Sequence, residues 1–448
     1  MKVDLLNSKI KPTFFTLFAS ALGSTLITTV YSTVDMVCMG HHSGPVATAS
    51  ISYVNPFWAM MFAPGVLAGV GGSVMMANRK GAGNMKDANG YFSLSLALTA
   101  LFSVVISLVF LLFSRPLLIF FGAEGLALEY GVEYMRPIAV IAPTFTLSAC
   151  LSAFIRNDGD AFTPTLATAI GGVINMILDV LLVFGFDLGV FGAGLATAIG
   201  QTVAFLMLLT YFIRKKCSLR LSLPTNISNK LFRIVTLGAS AFILEVAFGI
   251  TVTIYNKIIS AEFSEEHLAV YGTASTVAIM FYCLYNAVGT ALQPIVSTNY
   301  GANNRERVSA TLLLAIKLTA VLGILFTLVC QLVPGTILKI YMDVNDEVMA
   351  VGPSIFRIYN LVIALTGISI TSTYFFQSVL KRSYSMLISL SRGLVFPIVF
   401  ALILPLIFGK DAIWWSVPLA EFITFMISVI FLIVERRSDA NKNDSELL

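Results

Sequence analysis

Apolar residues run through this chain in blocks too long for one face of an amphipathic helix. Roughly 20 apolar residues suffice to cross a bilayer. Twelve stretches qualify: 13–37, 46–70, 90–113, 127–155, 162–184, 192–213, 231–259, 268–298, 309–332, 347–380, 385–407 and 412–434. Between them lie short connections rich in Lys, Arg, Asn and Gly. The pattern predicts an all-α integral membrane protein of twelve transmembrane helices.

Charge then orients the spans. Both ends and alternate connections hold twenty of the 28 Lys and Arg residues, including Lys9, Lys11, Arg79, Lys80, Arg156, Arg220, Lys230, Arg305, Lys381 and Arg436. The opposite connections hold only Arg115, Lys339 and Lys410. Cationic loops stay in the cytoplasm. The expectation is therefore a multi-pass protein of the cytoplasmic (inner) membrane with both termini inside. No cleavage site follows the first apolar run, which reads as a retained helix. His41 and His42 fall in the first outer connection and are expected to face water.

A repeat divides the chain. GAGNMKDA (81–88) and GANNRERV (301–308) are offset by 220 residues, and the same offset pairs Gly69 with Gly289 and Ser73 with Gln293. Two pseudo-symmetric six-helix bundles follow, residues 1–213 and 231–434, with a cytoplasmic linker at 214–230 and a tail at 435–448.

Composition narrows the function. Mean hydropathy is +0.87, with 57% hydrophobic and 12% charged residues; soluble domains carry about a quarter charged. A net charge of +4 without a basic stripe excludes a nucleic-acid partner. The five cysteines are scattered and none of the three histidines lies mid-membrane. No zinc site, catalytic set or cofactor is indicated, so the chain does not read as an enzyme. The glycines of GVGGSV (69–74) and GAGLATAIG (192–200) follow spans rather than a strand, and read as helix-packing positions.

Ionisable residues inside spans carry the candidate chemistry, because burying them in lipid is costly. In NMILD (175–179), Asn175 and Asp179 are four apart and share a helix face. Asp35 lies near the end of the first span, as a site acid or an interfacial one. Glu245 lies mid-span, either as a site acid or paired with Lys317 or Arg357. Arg392 and Glu421, of opposite sign in the last two spans, read as a structural ion pair. Asn55, Tyr255, Asn256, Met280 and Tyr282 are candidates for an adaptable substrate cavity, against lipid contact or packing.

The arginine and glycine of RNDG (156–159), NMILD, GAGLATAIGQ (192–201) and ALQPIVSTNYGANN (291–304) resemble the multidrug and toxic compound extrusion (MATE) family of cation-coupled antiporters. The resemblance covers nearly the whole chain. It implies two bundles forming a V around a central cavity, and a cation or proton site at Asp35, Asn175, Asp179 and Thr197. Glu245 resembles a helix-7 acid that some members use for ion coupling in the C-terminal half. Carboxylate, amide and hydroxyl oxygens are hard ligands that suit Na⁺ at Asp35, Asn175 and Asp179, and a buried carboxylate can equally carry H⁺. No tightly bound metal is implied. The expected function is secondary antiport: a monomer in the bilayer exporting small amphipathic, often cationic, compounds in exchange for Na⁺ or H⁺. The alternative is a flippase of a lipid-linked sugar, which would want several cationic residues where the N-terminal spans offer only Arg136. Archaeal members are associated with a proline bend in helix 1. Residues 13–37 contain no proline, so Gly23 or Ser24 would have to supply the weakness.

Overall fold

A computed structural model describes residues 3–213, 217–342 and 344–446. Lys2, Arg214, Lys215 and Lys216, which entered the charge comparison, lie outside the described residues. Twelve candidate spans are present among those described. The first six comprise α1 (Ile10–Ser43), α2 (Pro45–Gly81), α3 (Met85–Phe120), α4 (Gly125–Asn157), α5 (Phe162–Asp179) and α6 (Gly189–Ile213). The remaining six comprise α7 (Ile227–Glu262), α8 (Glu265–Gly301), α9 (Arg305–Leu332), α11 (Asp346–Tyr359) with α12 (Ile363–Ser378), α13 (Arg382–Leu390) with α14 (Phe396–Phe408), and α15 (Ser416–Glu446). A short α10 (Pro334–Tyr341) precedes α11.

Several helices outrun their apolar blocks. At 37 residues, α2 and α8 would reach about 55 Å, beyond a hydrocarbon core of roughly 30 Å. Their polar ends therefore stand clear of lipid. On α3, Leu101, Val104, Val105, Leu108, Leu111 and Leu112 are exposed, the face that a bilayer would cover.

Two spans are broken where apolar content alone predicts continuity. In the tenth, the Asn360 side-chain amide doubles onto the Phe356 carbonyl at 3.1 Å, and the Leu361 N–H turns back to Ile358. That tightened turn ends α11. In the eleventh, Pro397 has no N–H to offer the carbonyl of Gly393. The backbone widens into a π turn over Ser391–Val395, and Thr251 Oγ1 of α7 donates to Gly393 O at 2.8 Å instead. Helix α1, by contrast, runs unbroken. Ser24, Thr25, Thr28, Thr29 and Thr33 each bond back to the carbonyl four residues earlier, a habit that bends helices without proline.

The chain forms two compact units. One comprises Met1–Val246 with Ser297–Arg305, the other Ala247–Val296 with Glu306–Leu448. In the first, Phe57, Phe110, Met135 and Phe145 form a buried core. Asp158, fully buried, gathers Lys80, Tyr211 and Ser218, tying the segment after α6 to the ends of α2 and α4. In the second unit, Tyr255 stacks on Tyr271 within a core that includes Phe356 and Trp414. The sequence repeat has a structural counterpart. Asn157 donates to Ser73 at 2.9 Å in the first unit, and Gln293 to Gln377 at 3.1 Å in the second. These pairs stand 220 residues apart at both positions.

His41 is exposed, as expected, and His42 is half-buried. His41 and His42 occupy the last turn of α1 rather than a loop, and His42 Nε2 meets Asp187 Oδ1 at 2.8 Å. A partner across the α5–α6 turn fixes the ring.

Candidate functional site

Four helices of the first unit converge on a knot of buried oxygens. Asp35 comes from α1, Tyr134 from α4, Asn175 and Asp179 from α5, and Thr197 from α6. All five are buried, Asp179 fully. Tyr134 donates its hydroxyl to Asp35 Oδ2 at 2.6 Å. The Asn175 amide reaches Asp179 Oδ1 and Thr197 Oγ1, each at 3.4 Å. The two carboxylates lie within electrostatic reach of each other.

Small residues make this convergence possible. A Cβ on Gly194 would run into the carbonyl of Tyr134, and one on Gly200 would sit 2.8 Å from Asn175 Cβ. Gly171 and Gly200 also face each other's carbonyls at 2.6 and 2.7 Å from that added carbon. The glycines of GAGLATAIGQ thus let α6 carry Thr197 against α4 and α5. Immediately after Asp179, residues Val180–Gly185 wind as a π-helix, a distortion frequent at functional sites.

The knot is not hydrogen-bond saturated. Asp35 Oδ1, Asn175 Oδ1 and Asp179 Oδ2 are buried acceptors without a partner among the described residues. Unpaired buried acceptors cost about 1–3 kcal/mol each. Three of them on converging helices form an electron-rich cage for a proton or a small hard cation. Tyr134 was not singled out in the sequence. Its contact spans 99 residues, and a lone tyrosine within a span carries no local signal.

A cavity of about 220 Å³ adjoins this knot. Its wall includes Thr28, Tyr31, Phe145, Ser148, Asn175, Thr197 and Gln201. Neither Asp35 nor Asp179 reaches the wall, so Asn175 and Thr197 alone belong to both knot and cavity. No Lys or Arg lines it.

The other candidates lie apart. Asn55 is exposed on α2, and Asn256 and Met280 are exposed on α7 and α8. Tyr255 is buried, with its hydroxyl on Pro397 O at 3.1 Å. None of these, nor Tyr282, lines the cavity. Arg392 Nε lies 2.9 Å from Glu421 Oε1 in the second unit. The Glu245 side chain is exposed and in no ion pair among the described residues, while Arg357 Nε is committed to Gln331 O at 3.0 Å.

Known proteins supply the remaining comparison. The profile described as MatE matches residues 21–181 and 239–403. Multidrug export protein MepA of Staphylococcus haemolyticus is 23% identical over 429 residues, covering 94% of this chain and 93% of its own length. The Staphylococcus aureus protein of the same name is 24% identical, covering 92% and 91%. A crystal structure of MATE in the bent conformation superposes with a TM-score of 0.89 at 22% identity, covering 99% of this chain and 98% of its own. The outward-facing conformation of a multidrug resistance MATE family transporter gives 0.88 at 22% identity, covering 98% of both. Twelve spans, a matching fold and a family profile over both halves lead to one assignment: the chain belongs to the multidrug and toxic compound extrusion family of membrane transporters.

Proposed function

We propose that this protein is a secondary active antiporter of the cytoplasmic membrane, exporting amphipathic, often cationic, organic compounds in exchange for Na⁺ or H⁺. The observation that carries the reading is the set of three unpartnered buried oxygens, on Asp35, Asn175 and Asp179, beside a neutral, partly aromatic cavity. An ion entering the knot would claim Asn175 Oδ1 and reorganise the Asn175–Thr197 contact, and both residues form part of the cavity wall. Ion occupancy and cavity shape would then be one linked equilibrium, as alternating access requires. Tyr134 holds Asp35 by one oxygen and leaves the other for the ion. A cavity wall without cationic side chains suits an amphipathic or cationic guest better than the diphosphate of a lipid-linked sugar. The MepA relatives are named as multidrug exporters, which supports the same substrate class here. The positive-inside bias supports cytoplasmic termini, and we take the chain as a monomer.

The test is efflux of ethidium from proteoliposomes with a sodium gradient and a proton gradient imposed separately. Efflux driven by one and collapsed by its ionophore is the expected result. Efflux indifferent to both gradients would remove the antiport reading.

A further inference from the structure

The second unit contains a charged assembly that the oxygen knot does not use. Arg392 projects from the π turn created by Pro397 and braced by Thr251. Its Nε donates to Glu421 Oε1 on α15 at 2.9 Å, and its guanidinium lies 4.6 Å from the centre of the Tyr282 ring on α8. The Tyr282 hydroxyl donates to the same Oε1 at 3.4 Å. The two charged side chains are only 11% and 5% exposed.

The pair is one-pronged and leaves one carboxylate oxygen over. Arg392 meets Glu421 through Nε alone, and the Tyr282 hydroxyl is the other polar group beside its guanidinium. Glu421 Oε2 is buried and has no donor. A pair built only to lock helices would use the two-pronged geometry that guanidinium and carboxylate readily form. A well-packed apolar pair would serve stability equally or better. A guanidinium held by one prong beside a free buried acceptor is what a ligand carrying both signs would complete.

We propose that Arg392, Glu421 and Tyr282 form a recognition point for the carboxylate of a zwitterionic amphipathic substrate. It rests on the reading of the chain as an exporter of such compounds. The substrate carboxylate occupies the terminal N–H groups of Arg392, and its amine faces Glu421 Oε2. Charge balance selects this class. A lone anion or a lone cation would leave a net charge in a low-dielectric site, whereas a zwitterion leaves none. Tyr282 supplies an aromatic face for the planar body of the guest. Along α8, Ile279 and Asn286, one turn to either side of Tyr282, are exposed, which opens an approach to it.

Rhodamine 110 and rhodamine 123 differ only in a free carboxylate against its methyl ester, and so isolate the group in question. Binding of each to purified full-length protein in detergent is read by fluorescence anisotropy. Arg392→Gln is expected to weaken rhodamine 110 by about tenfold or more and rhodamine 123 by less than about twofold. Arg392→Lys keeps the charge, loses the fork, and should fall between. Should Arg392→Gln fail to fold, the combined Arg392→Met, Glu421→Leu variant takes its place, with the same expected selectivity. Equal losses for the two dyes, or no loss for either, would overturn the proposal. Efflux of rhodamine 123 from vesicles separates this proposal from the exporter reading. Failed efflux with carboxylate-selective binding retained sinks the exporter reading and leaves the site. Intact efflux with selectivity absent sinks the site alone.

Discussion

Adding one methyl group at Gly200 should damage both stability and coupling, because this position sets the distance between α5 and α6. An alanine Cβ there would lie 2.7 Å from the Gly171 carbonyl and 2.8 Å from Asn175 Cβ. Both are inside normal contact, and one is backbone that cannot rotate away. Gly→Ala within a helix is ordinarily favourable by roughly 0.5–1 kcal/mol. Overpacking of a tight interface costs about 1–3 kcal/mol. At mid-range the second effect wins by about 1 kcal/mol, and at most by about 2.5 kcal/mol, on those figures. Relief requires α5 to move away from α6, stretching the 3.4 Å contact from Asn175 to Thr197 past hydrogen-bonding range. Gly272 on α8 provides the internal control, since nothing stands within 4 Å of its added Cβ. Thermal unfolding in detergent and gradient-driven ethidium efflux should be measured for both variants. Gly200→Ala should unfold earlier and export several-fold more slowly, with a tenfold drop corresponding to about 1.4 kcal/mol of lost coupling. Gly272→Ala should match or exceed the parent in stability. A Gly200→Ala protein as stable and as active as the parent would show that α5 and α6 do not need this close approach.

Two further outcomes follow from the charge distribution. In a protein otherwise free of cysteine, Cys217 and a cysteine placed at Ser264 should react with an impermeant thiol reagent from opposite sides of the membrane, and labelling of both from outside would contradict twelve spans. Arg392→Met and Glu421→Leu, each alone, should lower thermal stability by about 3–5 kcal/mol by stranding the remaining charge, and the double variant should recover part of that loss; additive losses would reject the pairing.

Much of the architecture was legible because lipid imposes a coarse rule. A span must be apolar for about 20 residues, and the twelve apolar blocks correspond to twelve candidate spans. The 220-residue repeat was equally visible in the sequence, and it reappears as the Ser73–Asn157 and Gln293–Gln377 contacts. Asn175 and Asp179 were paired by helical spacing, which is local. Distant partners were not legible. Nothing near Tyr134 announces Asp35, 99 residues away in the chain. Helix breaks were missed for a different reason. Hydropathy reports burial in lipid but not backbone hydrogen bonds, so the turn at Asn360 and the π turn before Pro397 sit inside uninterrupted apolar runs. The long Tyr255 side chain suited a cavity by composition, yet packing against Tyr271 and Pro397 uses it fully.

The oxygen knot of the first unit is the central claim, and comparing three variants tests it most directly. Asp35→Asn, Asp179→Asn and Glu245→Gln would be reconstituted separately, with dye efflux driven by the coupling gradient and normalised to inserted protein. Asp35→Asn and Asp179→Asn should each abolish gradient-driven efflux while dye binding persists, since each removes a carboxylate whose second oxygen has no other partner. Glu245→Gln, altering an exposed and unpaired side chain, should retain most of it. Full coupling in Asp179→Asn, with loss confined to Glu245→Gln, would contradict the account and move the ion site out of the knot.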